Sequence, residues 1–311
     1  MSNSLVANHV PLDIPFAKSF AGHDTFALRH AWLKKGIDQM AKDTEVFLAD
    51  DAIVRLGVGK NMVRSIRHWC LATRVAKEEP GTRGRRMRAT ELGRRLLGDD
   101  GWDPFLEDDA SLWLLHWNLS SAGTRAATWF LAFNQLHEYA FTRRTILDFL
   151  VRKLDSLDWS GFAASTLERD VDCFVHTYLA RRTSSEDELG CPLSTLGLLV
   201  QEPDGNRYRF QRGPKPGLPA AIFAYALNEF WAWRDSDRQI MDIRDIIGGE
   251  GSPGLIFKLD EDSVLSYLEA LDKVTKGAMV LDDTQLVRHV VRNPNRECLP
   301  MDILEAYYGQ T

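Results

Sequence analysis

The chain has 311 residues, 44% of them hydrophobic and 26% charged, with a formal net charge of −6, ordinary values for a globular protein with room for two domains. Four scattered cysteines (Cys70, Cys173, Cys191, Cys298) form no CxxC pair and sit at no histidine spacing suited to zinc, so buried reduced thiols are expected. The first twenty residues lack a basic start followed by an apolar stretch, and no apolar run approaches a membrane span, so the expected location is cytoplasmic.

Charge is unevenly spread. Between Arg55 and Arg95 twelve basic residues stand against three acidic ones, a local balance of +9 that leaves −15 for the remainder. A basic block on an acidic chain is the electrostatic footprint of a nucleic-acid surface.

In chain order, a loose arm of about fifteen residues precedes Phe20–Gly36, where Asp24 or Thr25 is a candidate cap for a helix presenting Leu28, Trp32 and Leu33 on one face. A short helix carrying Ile53, Val54 and Leu56 should end at Gly57. After the Gly57-Val58-Gly59 turn a second helix starts near Lys60 or Asn61, with Val63, Ile66, Trp69 and Cys70 as its core face. Two short helices joined by a glycine turn make a helix-turn-helix pattern, whose second helix is placed for the major groove. Its opposite face offers Lys60, Asn61, Arg64, Arg67 and His68. Strands are expected over Ala72–Lys77 and Met87–Thr90, around a tip at Glu78–Arg86 whose Pro80, Gly81 and Gly84 make it a loop. Arg83, Arg85 and Arg86 on that tip suit a DNA backbone or minor groove. Thr90 is a plausible cap for a closing helix. A winged helix with this order also serves as a protein-docking module, and the +9 segment argues for DNA.

From Trp102 to Leu157 the sequence reads as helical, with Trp113, Trp117 and Trp129 expected in the core, and helix continues from Trp159 to Ala180. Arg207–Phe210 reads as a strand, and a long helix follows Pro219. The run from Ile243 to Val291 is a candidate second winged-helix-like unit without the basic bias, better suited to packing or partner binding. The fold class expected is mainly α with small β-hairpin wings. The expected division is an N-terminal winged helix-turn-helix domain (1–100), a helical middle (101–180) and a C-terminal α+β domain (181–311).

The chain holds no Walker-type phosphate loop, GxSxG elbow, HExxH or dinucleotide fingerprint. The fragment Gly57-Val58-Gly59-Lys60 lacks the upstream glycine and the Ser/Thr of a phosphate loop, and the turn accounts for its glycines. DNA cleavage normally needs carboxylates that hold Mg²⁺. Asp50-Asp51, Asp172 with His176, and Glu186-Asp187-Glu188 are candidates, each with a plain structural reading as cap, helix-face pair or solvated loop. His23 beside Asp24 is a candidate general base or phosphate binder, with helix-start capping as the alternative. Spacing alone names no active site.

Three stretches resemble one family. They are Phe20-x-Gly22-His23-x-Thr25-Phe26-x-x-Arg29-x-x-Trp32-Leu33-x-Lys35, then Leu56-Gly57-Val58-Gly59-Lys60-Asn61-Met62-Val63, then Glu186-Asp187-x-x-x-Cys191-Pro192-Leu193-x-x-Leu196-Gly197-Leu198. The family is a bacterial one of formerly unknown function that includes SspB, the DNA nicking protein of the single-stranded DNA phosphorothioation (Ssp) defence system. The resemblance implies a Mg²⁺-dependent nickase acting on double-stranded DNA, with a cysteine desulfurase, an ATPase and a sulfur-transfer protein as partners. Read from the residues themselves, His23 and Asp24 are the candidate catalytic pair, and Glu186 and Asp187 the candidate metal ligands. Gly190 stands where the pattern leads one to expect an acidic residue. The competing expectations are a non-catalytic DNA-recognition or transcription-regulatory subunit of such a complex, and a scaffold for its sulfur-transfer partners.

Overall fold

Residues 16–179, 190–284 and 287–310 are described by the computed structural model, and over these the chain is mainly helical with small antiparallel sheets. The N-terminal unit opens with α1 (His30–Lys42), a 3-10 turn (Val46–Leu48), α2 (Ala52–Leu56) and α3 (Lys60–Ala72). α2 stops at Gly57, whose φ of 63° is left-handed and comfortable for glycine. Along α3, Val63, Ile66, Trp69 and Cys70 are buried while Lys60, Asn61 and Arg64 stay exposed, as the three-to-four-residue apolar period requires. On α2 only Ala52 and Leu56 are buried, and Val54 is 82% exposed; one and a half turns of helix bury a single face.

The hairpin β1 (Ala76–Glu78) and β2 (Met87–Ala89) follows, with Lys77 directly opposite Arg88. β1 begins later than expected because Ala72 completes α3 and the chain reverses through Arg74, at φ 58°. The expected cap at Thr90 is present: its hydroxyl accepts the Gly93 amide of α4 (Glu91–Leu97) at 3.0 Å. A Cβ on Gly93 would lie 1.9 Å from the Val75 carbonyl oxygen, so α4 closes onto the hairpin only with glycine there.

The middle of the chain comprises α5 (Asp109–Ser120), α6 (Ala127–Gln135), α7 (Arg143–Ser156) and α8 (Ala164–Tyr178). Trp113, Trp117 and Trp129 are all buried, as expected of core aromatics. α5 is buried from Ala110 to Ser120, so its polar groups need partners. The His116 ring bonds the Tyr178 hydroxyl at 2.8 Å and the Ile256 carbonyl at 3.0 Å, and Asn118 donates to the Thr73 carbonyl at 2.9 Å.

A 3-10 segment (Pro192–Leu196) then leads into the hairpin β3 (Leu199–Gln201) and β4 (Tyr208–Phe210). The last part runs α9 (Ala220–Asp235), β5 (Ile240–Asp242), α10 (Ile243–Gly248), α11 (Pro253–Ile256), α12 (Glu261–Glu269), α13 (Leu271–Val274), β6 (Met279–Thr284), β7 (Val287–Arg292) and α14 (Pro300–Tyr308). β7 lies between β5 and β6 in a three-stranded antiparallel sheet. The expected helix–helix–hairpin run is present, with β5 added to it. One buried apolar cluster extends from Phe16 to Tyr308 through all three segments. Cys70, Cys173 and Cys191 are buried free thiols, as expected, and burial pushes those of Cys70 and Cys191 up to about 12.

Candidate nucleic-acid interface

The segment Phe20–Phe26 turns tightly behind α3, with Ala21, Asp24 and Thr25 at φ 55°, 45° and 71°. A β-branched residue such as Thr25 adopts that region only when its surroundings impose it. The imposing group is Asp170 on α8, 2% exposed, which accepts from the Ala21 amide (2.5 Å), from His23 Nε2 (2.8 Å) and from the Thr128 hydroxyl. His23 is wholly buried, and its Nδ1 accepts the Thr25 amide at 3.1 Å. Both ring nitrogens are therefore engaged, in the tautomer that carries its proton on Nε2.

The loop carbonyls then brace α3. Ser65 Oγ donates to the His23 carbonyl at 2.8 Å, and Trp69 Nε1 donates to the Phe26 carbonyl at 3.0 Å. A Cβ on Gly22 would stand 2.4 Å from His68 Nδ1. Burial pushes the His68 imidazole down to about 3. The helix-cap reading of Asp24 and Thr25 does not hold: α1 starts at His30, with Arg29 at its N-cap and no side-chain cap. Asp24 instead forms an ion pair at 3.1 Å with Arg64 Nε on the exposed side of α3. His23 and Asp24, adjacent in sequence, thus occupy different places, one sealed in the interior and one at the rim of the basic face.

Of the seven residues expected at the DNA surface, Lys60, Asn61, Arg64, Arg83, Arg85 and Arg86 are exposed. Arg64 donates to Asn61 Oδ1 at 2.7 Å. Lys60 and Arg83 make no ion pair among the described residues. Arg86 and Arg85 lie 3.0 and 3.7 Å from Glu45, so that one carboxylate tethers the tip. Arg67 differs. Its guanidinium points into the base of the hairpin, donating to Glu78 Oε1 at 2.5 Å and to the Gly84 carbonyl at 3.1 Å. A Cβ on Gly84 would meet both Glu78 and Arg67, at 2.8 and 3.1 Å, which explains the glycine. Arg67 orients the tip rather than offering its own charge.

Three basic groups beside this face were not singled out by the sequence. Lys77 and Arg88 form an exposed like-charge pair across the hairpin. Arg125, from the turn before α6, reaches Glu78 Oε2 at 2.7 Å. Glu78, clasped first by Arg125 and then by Arg67, is held below the usual carboxylate range. Lys77 and Arg88 were legible as members of the basic block. Arg125 carried no signal, because only the fold brings it to the hairpin.

Carboxylates suited to Mg²⁺ do not converge: among the described residues no group of three or more His, Cys, Asp or Glu side chains is placed to hold a metal ion. Asp172 pairs with Arg143 at 2.8 Å, and Asp51 lies 3.8 Å from Arg55. Glu186, Asp187 and Glu188 lie outside the described residues. Among the described residues no helix is long and apolar enough to cross a membrane.

A family model described as "Protein of unknown function (DUF4007)" matches residues 20–308. The chain belongs to the DUF4007 family. Two crystal structures of SspB are similar to it over nearly the whole fold, each at a TM-score of 0.86. One, with magnesium ion bound, is 32% identical and the other 33%, and each match covers 95% of this chain and 89% of that one. No curated protein matches. The resemblance read from the three motifs is thereby borne out, and the SspB relationship fits an Ssp defence context. In this DUF4007 chain the first motif forms the strained loop and α1, and the second forms the α2–α3 turn. The described part of the third packs as a 3-10 segment against α5 and α8.

Proposed function

We propose that this chain binds double-stranded DNA in a winged helix-turn-helix manner and nicks one strand in a Mg²⁺-dependent reaction serving phosphorothioate modification. On this reading α1–α3 with β1–β2 are the winged helix of domain 1–100, followed by the helical middle (101–180). Domain 181–311 ends in the second winged-helix-like unit, and the location is the cytoplasm. The observation that carries the reading is the exposed basic face running from Lys60, Asn61 and Arg64 to Arg83, Arg85 and Arg86. Guanidinium forks bind phosphate oxygens bidentately, and a helix side chain such as Asn61 matches an adenine edge in the major groove. The nicking activity, the Mg²⁺ and the sulfur-transfer partners (desulfurase, ATPase, sulfur-transfer protein) follow from the likeness to SspB. The described side chains supply phosphate capture and orientation, and no metal-dependent step is assigned to any of them.

The test is conversion of supercoiled plasmid to open circle by the purified chain with Mg²⁺, with EDTA, and by an Arg83/Arg85/Arg86→Ala variant. Nicking is expected only with Mg²⁺ and only with the native tip. Plasmid left intact at every salt concentration removes the nickase reading. A second reading, a non-catalytic DNA-recognition subunit, rests on the same exposed basic face. It predicts salt-sensitive duplex binding in a gel shift without cleavage.

A further inference from the structure

A groove of about 590 Å³ lies between the outer edge of β1, the wing tip and the Gly123–Arg125 turn of the helical middle. Four basic side chains line it, Arg74, Lys77, Arg83 and Arg125, against the acidic Glu78 and Glu79. Arg74 is already committed, to Glu229 at 3.2 Å and to the Ser121 hydroxyl. The other three are less tightly held. Lys77 and Arg83 have no acidic partner among the described residues, and Arg125, 42% exposed at its side chain, has only the carboxylate that Arg67 shares.

Two features argue that this charge awaits an anion. Lys77 stands directly across the hairpin from Arg88, an arrangement that costs stability unless a counter-charge is supplied. Glu78 divides its oxygens, Oε1 to Arg67 and Oε2 to Arg125, so Arg125 can turn to a ligand while Arg67 still holds the tip. The walls leave room: a Cβ on Gly81 or Gly123 would meet nothing within 4 Å.

We propose that this groove is a second phosphate-binding site, in which Arg125, Lys77 and Arg83 hold a backbone phosphate of bound nucleic acid and Glu78 keeps the empty site ordered. The inference rests on the DNA-binding reading and extends it: the footprint leaves the N-terminal unit and reaches the helical middle. Glu78 then acts as a competitor that the phosphate displaces from Arg125 alone.

Fluorescence anisotropy of the full chain with a labelled duplex, across a salt series, tests this. Arg125→Ala should weaken binding about tenfold and flatten the log–log salt dependence by about 0.9, the signature of one lost phosphate contact. Arg125→Lys, which keeps the charge, should keep the native slope. Glu78→Gln should tighten binding about fivefold, by removing the competitor. Arg152→Ala, an exposed arginine on α7, reports the general effect of losing one charge. Arg125→Ala indistinguishable from Arg152→Ala, while the wild type binds normally, overturns the site and leaves the DNA reading standing. No duplex binding by the wild type at low salt overturns both. A thermal melt of each variant separates loss of contact from loss of fold.

Discussion

On the N-terminal hairpin Lys77 faces Arg88, whereas on the C-terminal one Asp283 faces Arg288 at 3.0 Å and Asp282 faces His289 at 3.5 Å. Both hairpins follow a run of short helices and both are antiparallel. The C-terminal hairpin balances its charge within itself, while the N-terminal one sets two cations opposite each other, with no ion pair for either among the described residues. The two units also differ in how they join the helical middle. The N-terminal loop is held by the Asp170 carboxylate, and the segment around α11 by the His116 ring, the Asn134 side chain and the Lys258 amine. Similar local architecture thus carries different work, decided by which side chains find partners inside the protein.

The largest expected effect is on the first attachment. Asp170→Ala leaves three donors without their buried acceptor and should cost about 3 kcal/mol in urea unfolding. It should also weaken duplex binding, because the loop that braces α3 loosens. An unchanged unfolding midpoint would show that the strained loop needs no such anchor.

The second attachment should respond to acid. Burial pushes the His116 imidazole down to about 3 from its ordinary 6.5, so between those values the unfolded chain binds a proton that the folded chain refuses. Its contribution is complete above pH 6.5 and is lost progressively as pH falls toward 3. His116→Gln should therefore flatten the loss of stability between pH 6 and 4 by about 1.4 kcal/mol per pH unit. Parallel slopes in the two proteins would contradict a neutral buried ring.

The smallest effects exchange the hairpin charges. Lys77→Glu creates an opposite-charge pair with Arg88 and should stabilise the fold by about 0.5 kcal/mol while weakening DNA binding. Asp283→Lys, opposite Arg288, should destabilise by a similar amount and leave DNA affinity unaltered. Equal effects of the two changes on affinity would erase the distinction between the units.

Much of this architecture was legible in the residues. Gly57, the apolar spacing of Val63, Ile66 and Trp69, and the Thr90 cap are local signals, and they marked α2, α3 and α4 closely. The basic tip was legible too, because charge needs no fold to be counted. The roles of His23 and Arg67 were not. Both belong to residue types that suit DNA chemistry, yet His23 is enclosed by Asp170, distant in sequence, and Arg67 is turned by Glu78 toward the base of the hairpin.

Periodicity, turns, caps and the +9 block are properties of neighbouring residues, so the chain's order alone marked α2 to α4, the N-terminal hairpin and its basic charge, while β3 and β5 went unread. Only tertiary structure decided which charges remain available. Asp170 with His23, and Glu78 with Arg67 and Arg125, are pairings between distant segments. Whether a charged side chain is spent inside the protein or left at its surface depends on what the folded chain places within about 3 Å of it.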